Sequence, residues 1–214
     1  REFLIEEGQM ALPFVGAAKI TDNLKSIAND IRNVLGLENQ WAAQHRTWTA
    51  ALNDLFHRIE DINILVVANG VVGNNNYRPL DTEEFRGFVL HDRIAPLIFL
   101  NSTDSKGAQM FTLAHEIAHV WFGSSAAFDL RELQPANDAT EKACNWVAAE
   151  VLVAENELRE IWPTVSRARE PFQMLARQFK VSSLVAARRA LDMELIDIGA
   201  FLSFYNAYQK DDRR

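Results

Sequence analysis

The chain of 214 residues contains a single cysteine, Cys144, so no internal disulfide framework can form. This excludes the small bridged scaffolds of secreted proteins, fits a reducing compartment, and leaves the sequon at Asn101-Ser102-Thr103 without consequence. No apolar run approaches the roughly 18 residues that cross a bilayer, and the start has no basic stretch followed by an apolar one with a small-residue cleavage site. A cytoplasmic protein without membrane association is therefore expected. Positive charge is also scarce: 22 Lys and Arg against 29 Asp and Glu leave a net charge of −7, which argues against a broad nucleic-acid surface. Internal repeats and low-complexity tracts are absent. The first residue is Arg1 and not Met, so a longer chain with an upstream regulatory domain is expected.

With 48% hydrophobic and 24% charged residues, the composition is that of an ordinary globular protein. Residues 1 to 20 show no clear period around Pro13 and Gly16, so they read as an irregular lead-in or a short helix. Leu24, Ile27, Ala28, Ile31, Val34 and Leu35 recur at helical steps, with Asp22 as cap and Gly36 as terminator. A second helix is expected over 40 to 59, with His45 and His57 on its surface or at the core edge. The period then becomes that of strands at Ile62 to Val67, Phe85 to Leu90 and Leu97 to Leu100, the last two forming a hairpin through His91-Asp92-Arg93. Gly70 to Pro79 reads as a loop. A helix over 106 to 122 ends at Gly123, and 124 to 137 form a loop. Helices follow at 138 to 158, 167 to 180, 183 to 192 and 195 to 208. The expected class is α+β, mostly helical, with a small three-stranded sheet preceding the central helix. The expected division is an N-terminal helical segment over 1–60, a core over 61–160, and a C-terminal helical subdomain over 161–214.

The chemistry concentrates in His115-Glu116-Ile117-Ala118-His119. At 3.6 residues per turn the two histidines lie one turn apart on one face, so both imidazoles can reach one ion. Zn²⁺ is the natural candidate, because it takes neutral imidazole without redox cost and keeps an open position for water. Glu116, on the neighbouring face, is placed to act as general base. Phe111, Leu113, Ala114, Ile117, Ala118, Val120, Trp121 and Phe122 make this helix apolar nearly all round, as in a buried helix. Three polar groups inside it would be costly without partners. The bland alternative, histidines that merely hydrogen-bond in a core, suits that spacing poorly.

A catalytic site needs a third protein ligand. The long metzincin pattern is excluded, since Phe122 and Ser125 stand where Gly and His are required. A carboxylate from a later helix remains, and the spacing leaves Glu141, Asp129, Glu132, Asp138 and Glu150 open, with Cys144 a softer option. Glu141 begins an apolar helix, and Asn145 lies one turn on, placed to fix a ligand histidine. Asp138-Ala139-Thr140-Glu141 also scans as a capping box, in which Glu141 would only reach back to the helix start.

Arg86-Gly87-Phe88, then Pro96 to Asn101, then Phe111 to His119, then Glu141-Lys142-Ala143-Cys144-Asn145-Trp146 to Leu152 resembles the ImmA/IrrE family of metallopeptidases over roughly residues 60 to 192. The resemblance implies a zincin-like fold with Glu141 as third ligand. It also implies a protein substrate, a helix-turn-helix transcriptional repressor, cut in stress response or mobile-element regulation. The chain departs from the family in having Val153-Ala154 in place of a Met-Pro pair, and Ala143 and Cys144 before the asparagine.

Two short helices joined at Val181-Ser182, with Arg188 and Arg189 on the second, give residues 173–192 the look of a helix-turn-helix. Direct DNA binding, or a sensor with a structural zinc, is accordingly the rival function. Under the enzymatic reading a substrate strand would lie beside an edge strand at Leu97 to Leu100. His91, Arg86 and Tyr205 are the candidates for stabilising the oxyanion or contacting substrate.

Overall fold

A computed structural model of the chain describes residues 2–73, 75–123 and 139–210. The loop expected over 124 to 137 lies outside the described residues, as do three of the alternative ligands, Asp129, Glu132 and Asp138.

A short helix α1 (Glu2–Glu6) leads into an irregular stretch that buries Leu12, Phe14 and Val15. Helix α2 (Leu24–Val34) follows the expected apolar spacing, but its cap is Asn23, whose Oδ1 accepts from Ser26 N at 3.0 Å. Asp22 instead accepts from Lys19 N at 2.8 Å, one residue too early to reach the first free amides of the helix. The helix expected over 40 to 59 is two elements: a 3₁₀ turn (Trp41–Gln44) and α3 (Trp48–Asp61). Thr47 restarts the helix by accepting from Ala50 N at 3.1 Å, and the apolar stripe had run across that break. His45 lies in the break, 3.3 Å from Asp54, and His57 is exposed beside Glu60.

Ile62-Asn63-Ile64 forms the exit from α3, with Asn63 at φ +63°, so the first strand starts later than expected. The strands are β1 (Leu65–Asn69), β2 (Val71–Val72), β3 (Asn75–Pro79), β4 (Gly87–Leu90) and β5 (Leu97–Asn101). The expected loop over 70 to 79 is thus a small exposed hairpin of β2 and β3. The main sheet has the order β1-β5-β4. β5 pairs in parallel with β1 (Leu65 with Leu97) and antiparallel with β4 (Gly87 with Leu100, Leu90 with Leu97). The expected hairpin is present, but β5 is the central strand and not an edge. Its near-continuous apolar run is that of a strand with neither face open to solvent, and the burial of β5 agrees, with Ile98, Leu100 and Asn101 buried and Leu97 and Phe99 half-buried.

The remaining helices are α4 (Lys106–Phe122), α5 (Ala139–Leu152), α6 (Glu155–Val165), α7 (Pro171–Phe179), α8 (Ser183–Asp192) and α9 (Ile198–Gln209). The helix expected to run to 158 breaks at Val153-Ala154, where Ala154 is extended (φ −60°, ψ 138°). The fold is α+β, mostly helical, with a three-stranded sheet ahead of the central helix, consistent with a zincin-like domain. That helix is α4, enclosed by α2, α3, α5 and the sheet. Met110, Leu113, Ile117, Val120 and Trp121 are buried in one core with Ile31, Leu55, Ile98, Leu100 and Val147. Among the described residues, no helix is long and apolar enough to cross a membrane.

Candidate metal centre

The start of α4 is fixed before any functional group appears. Ser105 Oγ caps it, accepting from Ala108 N at 3.3 Å. Buried Gln109 donates from Nε2 to Ser102 O (3.1 Å) and Asp104 O (2.6 Å). At the end of β5, fully buried Asn101 donates to Phe85 O at 3.1 Å and accepts from Thr103 N at 3.1 Å. These bonds fix the register of α4 on the sheet. Gly107 permits a close crossing: a Cβ there would lie 3.0 Å from Ser182 N, so the turn between α7 and α8 sits against the first turn of α4.

One helical turn separates His115 from His119, and their Nε2 atoms are 3.0 Å apart. Glu141, in the first turn of α5, reaches both: Oε2 lies 3.1 Å from His115 Nε2 and Oε1 lies 3.1 Å from His119 Nε2. His119 is almost wholly enclosed, whereas His115 and Glu141 are half-buried. These three residues form a cluster that could hold a metal ion. The carboxyl of Glu141 is held well below its usual range, first by hydrogen bonding to His115 and then to His119, against the opposing effect of burial. Its place at a helix start favours the same charged form. Both oxygens are turned to the imidazoles, while Asp138, the start of the capping-box alternative, lies outside the described residues.

Asn145, one turn after Glu141, places Oδ1 3.0 Å from His115 Nδ1. A proton on Nδ1 donated to that oxygen leaves the Nε2 lone pair free to point at the cluster. Glu150 does not join the group. It is buried as the partner of Arg189 and accepts from Glu155 N at 3.2 Å. Cys144 is buried in the core.

Glu116 projects beside the cluster with 5% of its surface exposed, and its Oε2 has no hydrogen-bond partner. Its carboxyl is pushed up to about 7, chiefly by burial; His115 opposes the rise and Glu141 adds to it. Glu116 thus holds an enclosed carboxylate oxygen without a hydrogen-bond partner, near enough to His115 and Glu141 for their charges to act on it.

His115 and Glu116 open into a cleft of about 980 Å³, whose walls include Arg86 and Gly87 at the start of β4, Thr112 on α4, Leu184 on α8, and Tyr208 on α9. Arg86 therefore faces the site, with Nη1 3.6 Å from Asp104. Tyr205 does not line this cleft; its hydroxyl meets Gln209 Nε2 at 2.6 Å and its ring stacks on Phe201. The α9 residues that do line it are Tyr208 and Gln209, which the sequence did not single out because nothing local in this helix tells which of its tyrosines faces the cleft. His91 also lies outside the cleft lining, next to Gly123 at the end of α4, where a Cβ on the glycine would be 3.4 Å from Nε2.

The paired short helices at 173–192 exist as α7 and α8, and the two arginines of α8 differ in their settings. Arg189 is buried, ion-paired with Glu150, donating to Val153 O at 3.1 Å, and stacked over Trp146 with its guanidinium carbon 5.4 Å from the ring centre. Arg188 is paired with Asp192 at 2.8 Å.

The donor set suits a borderline ion. Ligand atoms of a tetrahedral site with bonds of about 2.0–2.1 Å lie about 3.3 Å apart. The spacings of 3.0 to 3.1 Å here are close to that. Two imidazole nitrogens and a carboxylate converge on one point, where a shared proton or a cation can lie between them. This chemistry, with a glutamate at its side and a cleft open to a peptide, is that of the metallopeptidases. Residues 60–191 match the Peptidase M78 family, described as the IrrE N-terminal-like domain, and the chain belongs to that family. No curated protein matches the chain.

Proposed function

We propose that the protein is a zinc-dependent endopeptidase that cuts a partner protein, a helix-turn-helix transcriptional repressor, in stress response or mobile-element regulation. The observation that carries the endopeptidase reading is the convergence of His115, His119 and Glu141 beside the unpartnered oxygen of Glu116. The repressor and its setting rest on the family resemblance.

His115 Nε2, His119 Nε2 and Glu141 would hold the zinc, with Asn145 fixing the tautomer of His115. When bound, the ion supplies Lewis acidity to a peptide carbonyl and lowers the pKa of a water molecule. Glu116 Oε2 takes the proton of the attacking water and returns it to the leaving amine. Arg86, on the cleft wall, is the donor best placed to meet negative charge developing on the carbonyl oxygen. An extended substrate would add backbone hydrogen bonds along β4, the sheet edge that reaches the cleft at Gly87.

The test uses the zinc-loaded full chain with helix-turn-helix regulators encoded beside it, supplied one at a time. A discrete cut is expected with the cognate regulator, and Glu116→Gln should bind zinc in the same ratio without cutting. Undiminished cleavage by that variant removes Glu116 from the mechanism. Cleavage of unrelated proteins with none of the regulators touched removes the repressor from the proposal.

A further inference from the structure

A second cavity, of about 600 Å³, opens beside the catalytic cleft between α4, α5 and α8. The two are continuous: Phe111, Asn145, Leu184 and Val185 line both. Phe111 lies one turn before His115 on α4, and Asn145 is the residue bonded to His115 Nδ1, so the mouth of the cavity adjoins the reacting centre. Its deeper wall is Trp146 and Ala149. The indole of Trp146 lies under Arg189, which Glu150 and Val153 O hold in place, so the apolar wall is braced from behind. Among the described residues the charged lining is Lys142, Arg188, Arg189 and Asp192, of which Arg188 is paired with Asp192 and Arg189 with Glu150.

We propose that this cavity is the specificity pocket of the peptidase, receiving a large apolar side chain of the substrate at a fixed position next to the scissile bond. The proposal rests on the endopeptidase reading above. Phe111, Trp146, Ala149, Leu184 and Val185 offer a surface that gains from removing apolar area from water, and Lys142 in the lining disfavours Lys or Arg at the same position, the two arginines being offset by Asp192 and Glu150. The substrate is thus a segment with Phe, Leu or Met beside the cut, of the kind that an amphipathic helix presents when it unfolds into the cleft.

The test pairs a cleavage profile with a binding measurement. Zinc-loaded full chain is incubated with a diverse peptide mixture and the cut sites are read by mass spectrometry. Wild type should cut with Phe, Leu or Met at one constant position. Ala149→Trp, which fills the cavity, should shift that position to Gly or Ala, changing the preference by about tenfold to a hundredfold, the range for one buried apolar side chain. Val185→Trp fills the same space from α8 and serves if the first variant does not fold. A profile indifferent to this position, or one that both filled variants leave unaltered, overturns the pocket while leaving the peptidase standing. Separately, the methyl resonances of Ala149, Leu184 and Val185 should shift on titration with N-acetyl-phenylalaninamide but not with N-acetylglycinamide, and the shifts should vanish in the filled variants. Shifts without cleavage of any peptide or protein keep the apolar side-chain site and overturn the endopeptidase reading. Absence of shifts overturns the site.

Discussion

Asn145 Oδ1 lies 3.0 Å from His115 Nδ1, on the opposite side of the imidazole from the nitrogen that faces Glu141. The two α5 residues thus address both nitrogens of one ring, and the turn that separates them sets the ring's tilt. Asn145→Ala should weaken zinc binding by about tenfold to a hundredfold while leaving the fold intact. Competition with a chromogenic chelator measures this, and an unchanged affinity would show that the ring is oriented by packing alone.

Glu116 gives the metal-free protein a pH dependence with a defined sign. A carboxyl raised from 4.5 to about 7 holds its proton more tightly in the folded chain than in the unfolded one. Below pH 4.5 both states are protonated and the group favours neither; from there to about 7 the folded state binds more protons, so stability falls as pH rises. Metal-free Glu116→Gln should lack this decline and exceed the metal-free wild type at pH 8 by at most about 3 kcal/mol. Urea titrations at pH 4 and pH 8 separate the two, and bound zinc should shrink the difference because its charge favours the carboxylate.

Arg189 and Arg188 are neighbours with opposite expected phenotypes. Arg189 and Glu150 are both nearly inaccessible, so Arg189→Ala strands a buried carboxylate and should cost about 3–5 kcal/mol. Arg188→Ala removes an exposed pair with Asp192 and should change stability by less than about 1 kcal/mol. Equal effects in thermal melts would contradict the assignment of Arg189 to the structural brace behind Trp146.

Gly87 sits where β4 meets α4. A Cβ there would lie 2.6 Å from Thr112 Cγ2 and 2.9 Å from Phe99 O, and the second contact is backbone, which has no rotamer to yield. Gly87→Ala should destabilise the protein by about 1–3 kcal/mol. Because Thr112 is one turn before Glu116, it should also lower kcat more than it raises KM. Wild-type stability in this variant would show that the sheet edge can move away from α4.

The central helix was legible because its signal is local: a period of four for the histidines, an apolar surround, and Gly123 at φ +63° to end it. The three-stranded sheet was legible for the same reason, as runs of β-branched and apolar residues. Pairing order was not, because Leu97 to Leu100 carries no mark of which strands lie beside it. The burial of Arg189 was equally hidden, since its partner Glu150 is 39 positions away in the chain and stood among the candidate ligands. Glu141 was one of several spacings until the packing of α4 on α5 turned it to both imidazoles. Tyr205 was chosen over Tyr208 because nothing local in α9 tells which of the two faces the cleft.

Residues 12–18 cross the end of α4 so closely that a Cβ on Gly123 would lie 2.8 Å from Gly16 Cα. Gly16 and Ala18 donate to Val120 O and Trp121 O at 3.0 Å, Phe14 stacks on Trp121, and Asp30 accepts from the Trp121 indole at 2.7 Å. All of these partners precede the family-matched stretch of 60–191. The unit that must fold is therefore longer than the unit that carries the chemistry. A fragment cut to the matched stretch would bare the last carbonyls of its ligand helix and a tryptophan face, and should aggregate whether or not metal is supplied.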